Sequence, residues 1–349
     1  MFYFHNDYSE TCHPAVINKL MEYSKKQFAG YGMDESCERA AQLIRKECRS
    51  DDVSVHFLVG GTQTNLTVIA ASLRPHQGVL SATSGHINIH ETGAIEATGH
   101  KVIQLPGYHG KLTAQQVEEV VLEQKNSSDA EHIVQPKMVY ISNPTEYGTT
   151  YDLAELEALS AICKKHHLIL FVDGARLGYA LASDGYDVTI ADLARLTDVF
   201  YIGGTKVGAM FGEAVVITNP DVAEDFRYMI KQRGAMLAKG WLLGLQFEAL
   251  LEDGLYFKIA EQADKLADLL RDTFRQLEYP LVEINKTNQV FVVLPNTILE
   301  ALEKDFTFAV WEKVDPEHTV VRFCTSWATS TETLELLCDR LRQLTLAQI

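Results

Sequence analysis

A lysine can serve as a nucleophile only if it is buried enough to shed its proton and bare enough to be reached. Lys206 has sequence surroundings that allow both. It stands in Tyr201-Ile202-Gly203-Gly204-Thr205-Lys206-Val207-Gly208, after an apolar run and among small residues. A crowded apolar pocket lowers the pKa of an ammonium and yields a free amine. The other reading is a surface lysine in a glycine loop. Asp173 closes the most apolar stretch of the chain, Leu168-Ile169-Leu170-Phe171-Val172, and is followed by Gly174-Ala175-Arg176. In a parallel sheet the carboxyl ends of the strands face the ligand crevice. A carboxylate there could meet a cationic ring nitrogen or a metal, or it could simply cap the next turn.

Val59-Gly60-Gly61-Thr62-Gln63-Thr64-Asn65 lies between a predicted strand and a predicted helix. Such a turn gathers free N–H groups and the positive helix end at one point, and glycines let an anion approach. Thr62 and Gln63 could add side-chain donors. A tight turn with Thr62 as helix cap is the alternative. It is not a Walker loop, because no Gly-Lys-Thr follows at the required spacing. His86 could stack on a planar cofactor, with Glu91 orienting a water or a proton, and His90 is its competitor.

These residues need a scaffold that brings strand ends together. Short strands are predicted at 53–59, 78–81, 101–105, 137–142, 168–172, 199–202 and 214–218, with helical patterns at 62–73, 113–123 and 153–166 between several of them. Alternation of strand and helix means βαβ units and a mostly parallel α/β sheet. Helices are also predicted at 14–28 and 34–48, and the first residues read as an extended arm without core periodicity. Beyond about Asp221 the pattern changes to helices at 241–251 and 255–277, strands at 281–284, 290–294 and 320–324, and a helix at 331–344. This predicts a large domain over 14–250 preceded by an arm, 1–13, and followed by a smaller α+β domain, 251–349.

The chain has 349 residues, 46% of them apolar and 22% charged, so a globular protein of about two domains is expected. Its 31 basic against 47 acidic residues give a net charge of −16, which disfavours nucleic acid and anionic membranes as partners. No apolar run is long enough for a membrane helix. The opening Met1–Asp7 lacks a signal-peptide pattern, so a cytoplasmic location is expected. Cys12, Cys37, Cys48, Cys163, Cys324 and Cys338 have no paired or zinc-like spacing, so free thiols and no metal site are expected.

The order of a glycine-threonine turn, a His, an Asp-Gly-Ala-Arg strand end and a Gly-Gly-Thr-Lys loop resembles the pyridoxal 5'-phosphate (PLP) enzymes of the aspartate-aminotransferase fold. Within them the chain is similar to the threonine aldolase family, grouped with β-eliminating lyases, over nearly its whole length. Ser142-Asn143-Pro144-Thr145-Glu146-Tyr147-Gly148-Thr149 resembles the phenylserine-aldolase branch. The resemblance implies that Lys206 forms the Schiff base and that Asp173 keeps the pyridine nitrogen protonated, making the ring an electron sink. Gly60, Gly61, Thr62 and Thr205 would hold the phosphate, and His86 would cover the ring. Ser9 in Asn6-Asp7-Tyr8-Ser9 and Arg322 in Arg322-Phe323-Cys324-Thr325-Ser326-Trp327 would bind the substrate carboxylate. Arg176 would assist either cofactor or carboxylate.

The implied reaction is cleavage of a β-hydroxy-α-amino acid of the threonine, allo-threonine or phenylserine type to glycine and an aldehyde. β-Elimination or transamination on the same fold, or PLP binding without catalysis, are the alternatives. The resemblance further implies a homodimer or homotetramer with the site at a subunit interface. One departure stands out. Many threonine aldolases carry a second His in the segment where Thr145 stands here, so the hydroxyl proton is left to His86, Glu91 or an ordered water.

Overall fold

A computed structural model describes residues 1–283 and 285–347. The strands, in chain order, are β1 (Phe2–Tyr3), β2 (Ser54–Leu58), β3 (Gln77–Ala82), β4 (Val102–Leu105), β5 (Gln135–Ser142), β6 (Ile169–Asp173), β7 (Val199–Gly203) and β8 (Glu213–Ile217). They are followed by β9 (Gln289–Pro295), β10 (Phe306–Thr307), β11 (Ala309–Lys313) and β12 (His318–Cys324). Among the described residues, seven strands form one sheet in the order β2-β8-β7-β6-β5-β3-β4.

The pairs β4–β3, β3–β5, β5–β6 and β6–β7 are parallel. The strands β6 and β7 are wholly buried, which explains their apolar runs, and so is the stretch Met138–Ile141 of β5. β8 runs antiparallel to both β7 and β2. Two reversals in succession leave β2 pointing the same way as β7. The carboxyl ends of β2, β5, β6 and β7 therefore open on one edge, and so does the first residue of β8, Glu213, which pairs with Gly203. One apolar cluster, including Val139, Leu170, Val172 and Phe200, covers one face of this sheet. The opposite face packs a second cluster around Met138, Phe171, Tyr201 and Val215.

The later part of the chain forms a three-stranded antiparallel sheet, β11-β12-β9, with its own core of Leu266, Leu270, Phe274, Val292, Phe323 and Leu337. β11 has no counterpart among the expected strands. Its half-exposed residues carry no clean alternation. The expected strand 281–284 reduces, in its described part, to a bridge from Leu281 to Val292, while Ile284 lies outside the described residues.

The first residues extend as expected, yet they carry core. β1 pairs in parallel with β10, Phe4 is buried in the small sheet's core, and Asp7 is completely buried. The partner of β1 lies at the other end of the sequence, where no local pattern reveals it. The first helix runs over Pro14–Tyr23, ending before the expected Phe28. Phe28 packs beyond it, stacked on Trp241 at 4.8 Å. Asp34 caps the second helix, Glu35–Cys48, by accepting from the Cys37 amide. No described helix is long and apolar enough to cross a membrane.

Candidate active site

At the shared strand edge lies a cavity of about 560 Å³. Its wall includes Gly60, Gly61, Thr62, His86, Asp173, Arg176, Thr205, Lys206 and Arg322, but not Glu91, Ser9 or Gln63, whose side chain is turned to the Val59 amide and the Arg233 carbonyl.

Asp173 is the last residue of β6 and is buried. Its Oδ1 accepts from the Tyr201 hydroxyl at 2.5 Å and the Ala175 amide at 3.0 Å. Its Oδ2 accepts from the Tyr140 hydroxyl at 2.5 Å and Asn65 Nδ2 at 3.1 Å. Burial alone would raise this carboxyl. The nearby His86 ring and the donors outweigh that, and it stays below the usual carboxylate range. A fixed buried anion that lines a cavity is a partner for a cationic ring nitrogen. Gly174 lets β6 end this close to β7, since a Cβ there would lie 1.8 Å from the Tyr201 carbonyl oxygen.

Lys206 follows β7 in a tight turn held by donation from the Val207 and Ala209 amides to the Gly204 carbonyl. Gly208 takes φ +87°, a conformation open to glycine at little cost. Burial, reinforced by Arg176, lowers the Lys206 ammonium pKa against the opposing pull of Asp7, Asp173 and Glu213. A buried amine with lowered basicity suits covalent attachment to a carbonyl. Glu213 accepts from the Gly204 amide at 3.0 Å and the Thr205 hydroxyl at 2.8 Å. Burial pushes its carboxyl up, although Thr205 and Lys206 pull the other way. Thr205 therefore already holds a carboxylate.

The helix Gly61–Ser72 begins at the cavity with Gly60 as its N-cap and no side chain capping it. Its first amides face the space where Gly60, Gly61 and Thr62 form the wall, the setting of an anion site. Asn65, one turn in, donates to both Asp173 and Glu91 Oε1, the latter at 2.7 Å. The same Glu91 oxygen lies 2.7 Å from His86 Nδ1. Glu91 is thus a buried brace behind His86 rather than a group on the cavity wall. His90 also lines the cavity, its ring 5.5 Å from that of His86.

Arg176 makes a two-pronged ion pair with Asp7, Nε to Oδ2 at 2.7 Å and Nη2 to Oδ1 at 3.0 Å. Asn288 Nδ2 adds a third donor to Asp7 at 2.8 Å. Burial opposes the charge, but Arg176 and Lys206 hold the Asp7 carboxyl down to about 2. Ser9 lies outside the cavity, exposed and bonded to Asn6, and its neighbour Tyr8 lines the wall instead. Arg322, on β12, crosses from the small sheet. Its Nη1 donates to Gln289 at 3.1 Å and its Nη2 to the His5 carbonyl at 3.2 Å, with Trp311 5.5 Å away. Its Nε is buried without an acceptor, and the side chain forms part of the cavity wall.

Asp7, Asn65, Tyr140, Glu146, Tyr201, Glu213 and Trp311 escaped the reading of the sequence as site residues. Two carried a signal. Glu213 opens an otherwise apolar strand, and Asn65 with Thr64 breaks an apolar helix face.

The donor set fits PLP: a buried amine, a braced carboxylate, an uncapped helix start and an unpaired guanidinium N–H around one cavity. The large-sheet fold is shared with a single-mutant aspartate aminotransferase of Thermus thermophilus, at a TM-score of 0.73 and 17% identity over 99% of this chain and 91% of that one. Fold and site together define a PLP-dependent enzyme. The chain matches the family described as Beta-eliminating lyase over residues 10–297, and it belongs to that family. It is 30% identical to a low specificity L-threonine aldolase of Pseudomonas aeruginosa, over 97% of this chain and 96% of that protein. A Leishmania major threonine aldolase structure superposes with a TM-score of 0.96 and 46% identity, covering 99% of this chain and all of the other.

Proposed function

We propose that this chain is a PLP-dependent aldehyde-lyase that cleaves a β-hydroxy-α-amino acid to glycine and an aldehyde. One observation carries the reading: Asp173 at the end of β6, Lys206 in the turn after β7 and Arg322 on β12 open on the same cavity. When bound, PLP supplies an electron-withdrawing ring that can take the electron pair left on the amino acid's Cα. Lys206 would hold the cofactor covalently and give it up to the substrate amine. Asp173 would hold the proton on the ring nitrogen, braced by Tyr140, Tyr201 and Asn65. The first amides of helix Gly61–Ser72 would take the phosphate, and His86, fixed by Glu91, would cover the ring. The Arg322 fork would grip the substrate carboxylate. Arg176, engaged by Asp7, supports that role as a fixed positive charge beside Lys206.

We further propose a division into segment 1–13, a large body 14–250 and a small one 251–349; two cores support two bodies, while Tyr256, Ile259, Ala260 and Ala263 pack in the large core and Phe4 in the small one. A cytoplasmic homodimer or homotetramer fits six free buried thiols and the exposed apolar side chains of Tyr31, Met33 and Tyr228.

The test is product analysis of the holoenzyme with phenylserine and with threonine. Glycine and aldehyde in equal amounts support the proposal. A 2-oxo acid with ammonia and no glycine would mean elimination. A 2-oxo acid with the cofactor converted to its amine form would mean transamination. Either of the latter outcomes refutes it.

A further inference from the structure

Three carboxylates line the cavity: Asp173, Glu213 and Glu146. Asp173 is held by four donors at the strand end. Glu213 is held by the Gly204 amide and the Thr205 hydroxyl beneath Lys206. Glu146 has no part in the chemistry described so far. It sits in the loop after β5, buried, with Oε1 accepting from the Ser142 hydroxyl at 2.7 Å and the His86 backbone amide at 2.9 Å. Those two bonds fix the carboxyl between the end of β5 and the short helix that presents the His86 ring. It shares the cavity wall with His86, Lys206, Trp311 and Arg322.

Of the other groups near the cavity, His86 is held through Nδ1 by Glu91 and covers the ring in the reading above, and two more are engaged elsewhere. The Thr145 hydroxyl lies 2.6 Å from that of Thr149. Glu91 is bonded to His86 and Asn65 and stands behind the wall. We infer that Glu146 is the catalytic base that accepts the β-hydroxyl proton during carbon–carbon cleavage, an inference that rests on the aldolase reading above. In that step the O–H bond breaks and its proton passes to the Glu146 carboxylate. The O–H electron pair becomes the second bond of the aldehyde carbonyl. The Cα–Cβ pair stays with the carbon that becomes glycine, which is then protonated.

The electrostatics suit the task. Burial raises the Glu146 carboxyl, with Asp173 adding to the rise and Ser142 and His86 opposing it. The titratable groups facing it are His86 from the short helix, Asp173 from β6, Tyr140 from β5 and Tyr151 from the following loop, with Lys206 and Arg322 on the same wall. A base with a pKa above the ordinary carboxylate range is a better proton acceptor near neutral pH.

The test compares wild-type and Glu146→Gln holoenzymes in two reactions. Phenylserine cleavage needs a base for the hydroxyl, whereas exchange of a glycine α-proton with D₂O does not. Cleavage should fall by about 100-fold or more, the range for losing a general base, while exchange stays within a few-fold of wild type. The rise of kcat/KM with pH, set in the wild type by ionisation of Glu146, should vanish in the variant. Glu146→Asp should restore part of the cleavage. Unchanged cleavage in Glu146→Gln refutes the inference. A parallel loss of cleavage and exchange also refutes it, because Glu146 would then only be holding His86 in place. A wild-type enzyme that exchanges glycine but cleaves no β-hydroxy amino acid overturns the aldolase reading, and this assignment with it.

Discussion

Replacing Asp7 by Asn should destabilise the protein far more than the loss of one early residue ordinarily would. The Asp7 side chain has no exposed surface and that of Arg176 has 12%. Asp7 accepts at 2.7 and 3.0 Å from Arg176 and at 2.8 Å from Asn288. Its carboxyl falls from 3.8 to about 2, a differential of about 2 kcal/mol in favour of the ionised folded form. The variant also strands a buried guanidinium, and removing one partner of a buried ion pair costs ~3–5 kcal/mol. The Asn oxygen still accepts one bond, so a loss of about 3 kcal/mol is expected.

The assay is denaturant unfolding of wild type, Asp7→Asn, Arg176→Met and the double variant. The double should lose clearly less than the two singles together, because it strands no charge. The folded carboxyl titrates below its unfolded value, so its stabilisation is complete above pH ~4 and is lost as the pH falls towards 2. Wild type should therefore lose more stability across that window than Asp7→Asn. A variant within about 0.5 kcal/mol of wild type, or matching acid slopes for the two proteins, would refute this account of the pair.

Two further outcomes concern turnover. Asp173→Asn should keep bound cofactor through Lys206 and the helix amides yet lose most of its activity, since a neutral amide cannot hold a ring proton; near-normal rates with full cofactor absorbance would remove that role. Arg322→Lys keeps the charge but loses the planar fork, so the KM for amino acid should rise markedly at constant cofactor content; an unchanged KM would transfer the carboxylate to another donor.

Much of the large sheet could be read from sequence because its central strands are buried on both faces and print their apolarity directly. Lys206 and Asp173 were legible for the same reason: each is a reactive residue with glycine neighbours at the end of such a run. What stayed hidden depends on distance along the chain. Asp7 acquires its meaning only from Arg176, and Ser9 attracted attention through a local resemblance although Tyr8 is the neighbour that faces the cavity. Glu91 was grouped with His86 as a wall residue, and its hydrogen bonds to Asn65 and His86 make it a brace behind the wall. Glu146 was overshadowed by Thr145; both line the cavity, and the sequence does not show that the Thr145 hydroxyl is taken up by Thr149. The edge strand β11 and the two-residue β1 are too short or too exposed to show a period.

The pairing of β1 with β10 also sets the timing of the protein's birth. Phe4 bonds to Thr307 across 303 residues of chain, and the Cys324 amide donates to the Phe4 carbonyl. During synthesis at roughly 5–20 residues per second, the first strand waits on the order of 15–60 s for its partner. Until then Phe4 has no core to enter, and Arg322 has not yet been made. The cavity wall can close only once β12 has been made, so no shorter nascent chain offers the cofactor a complete home.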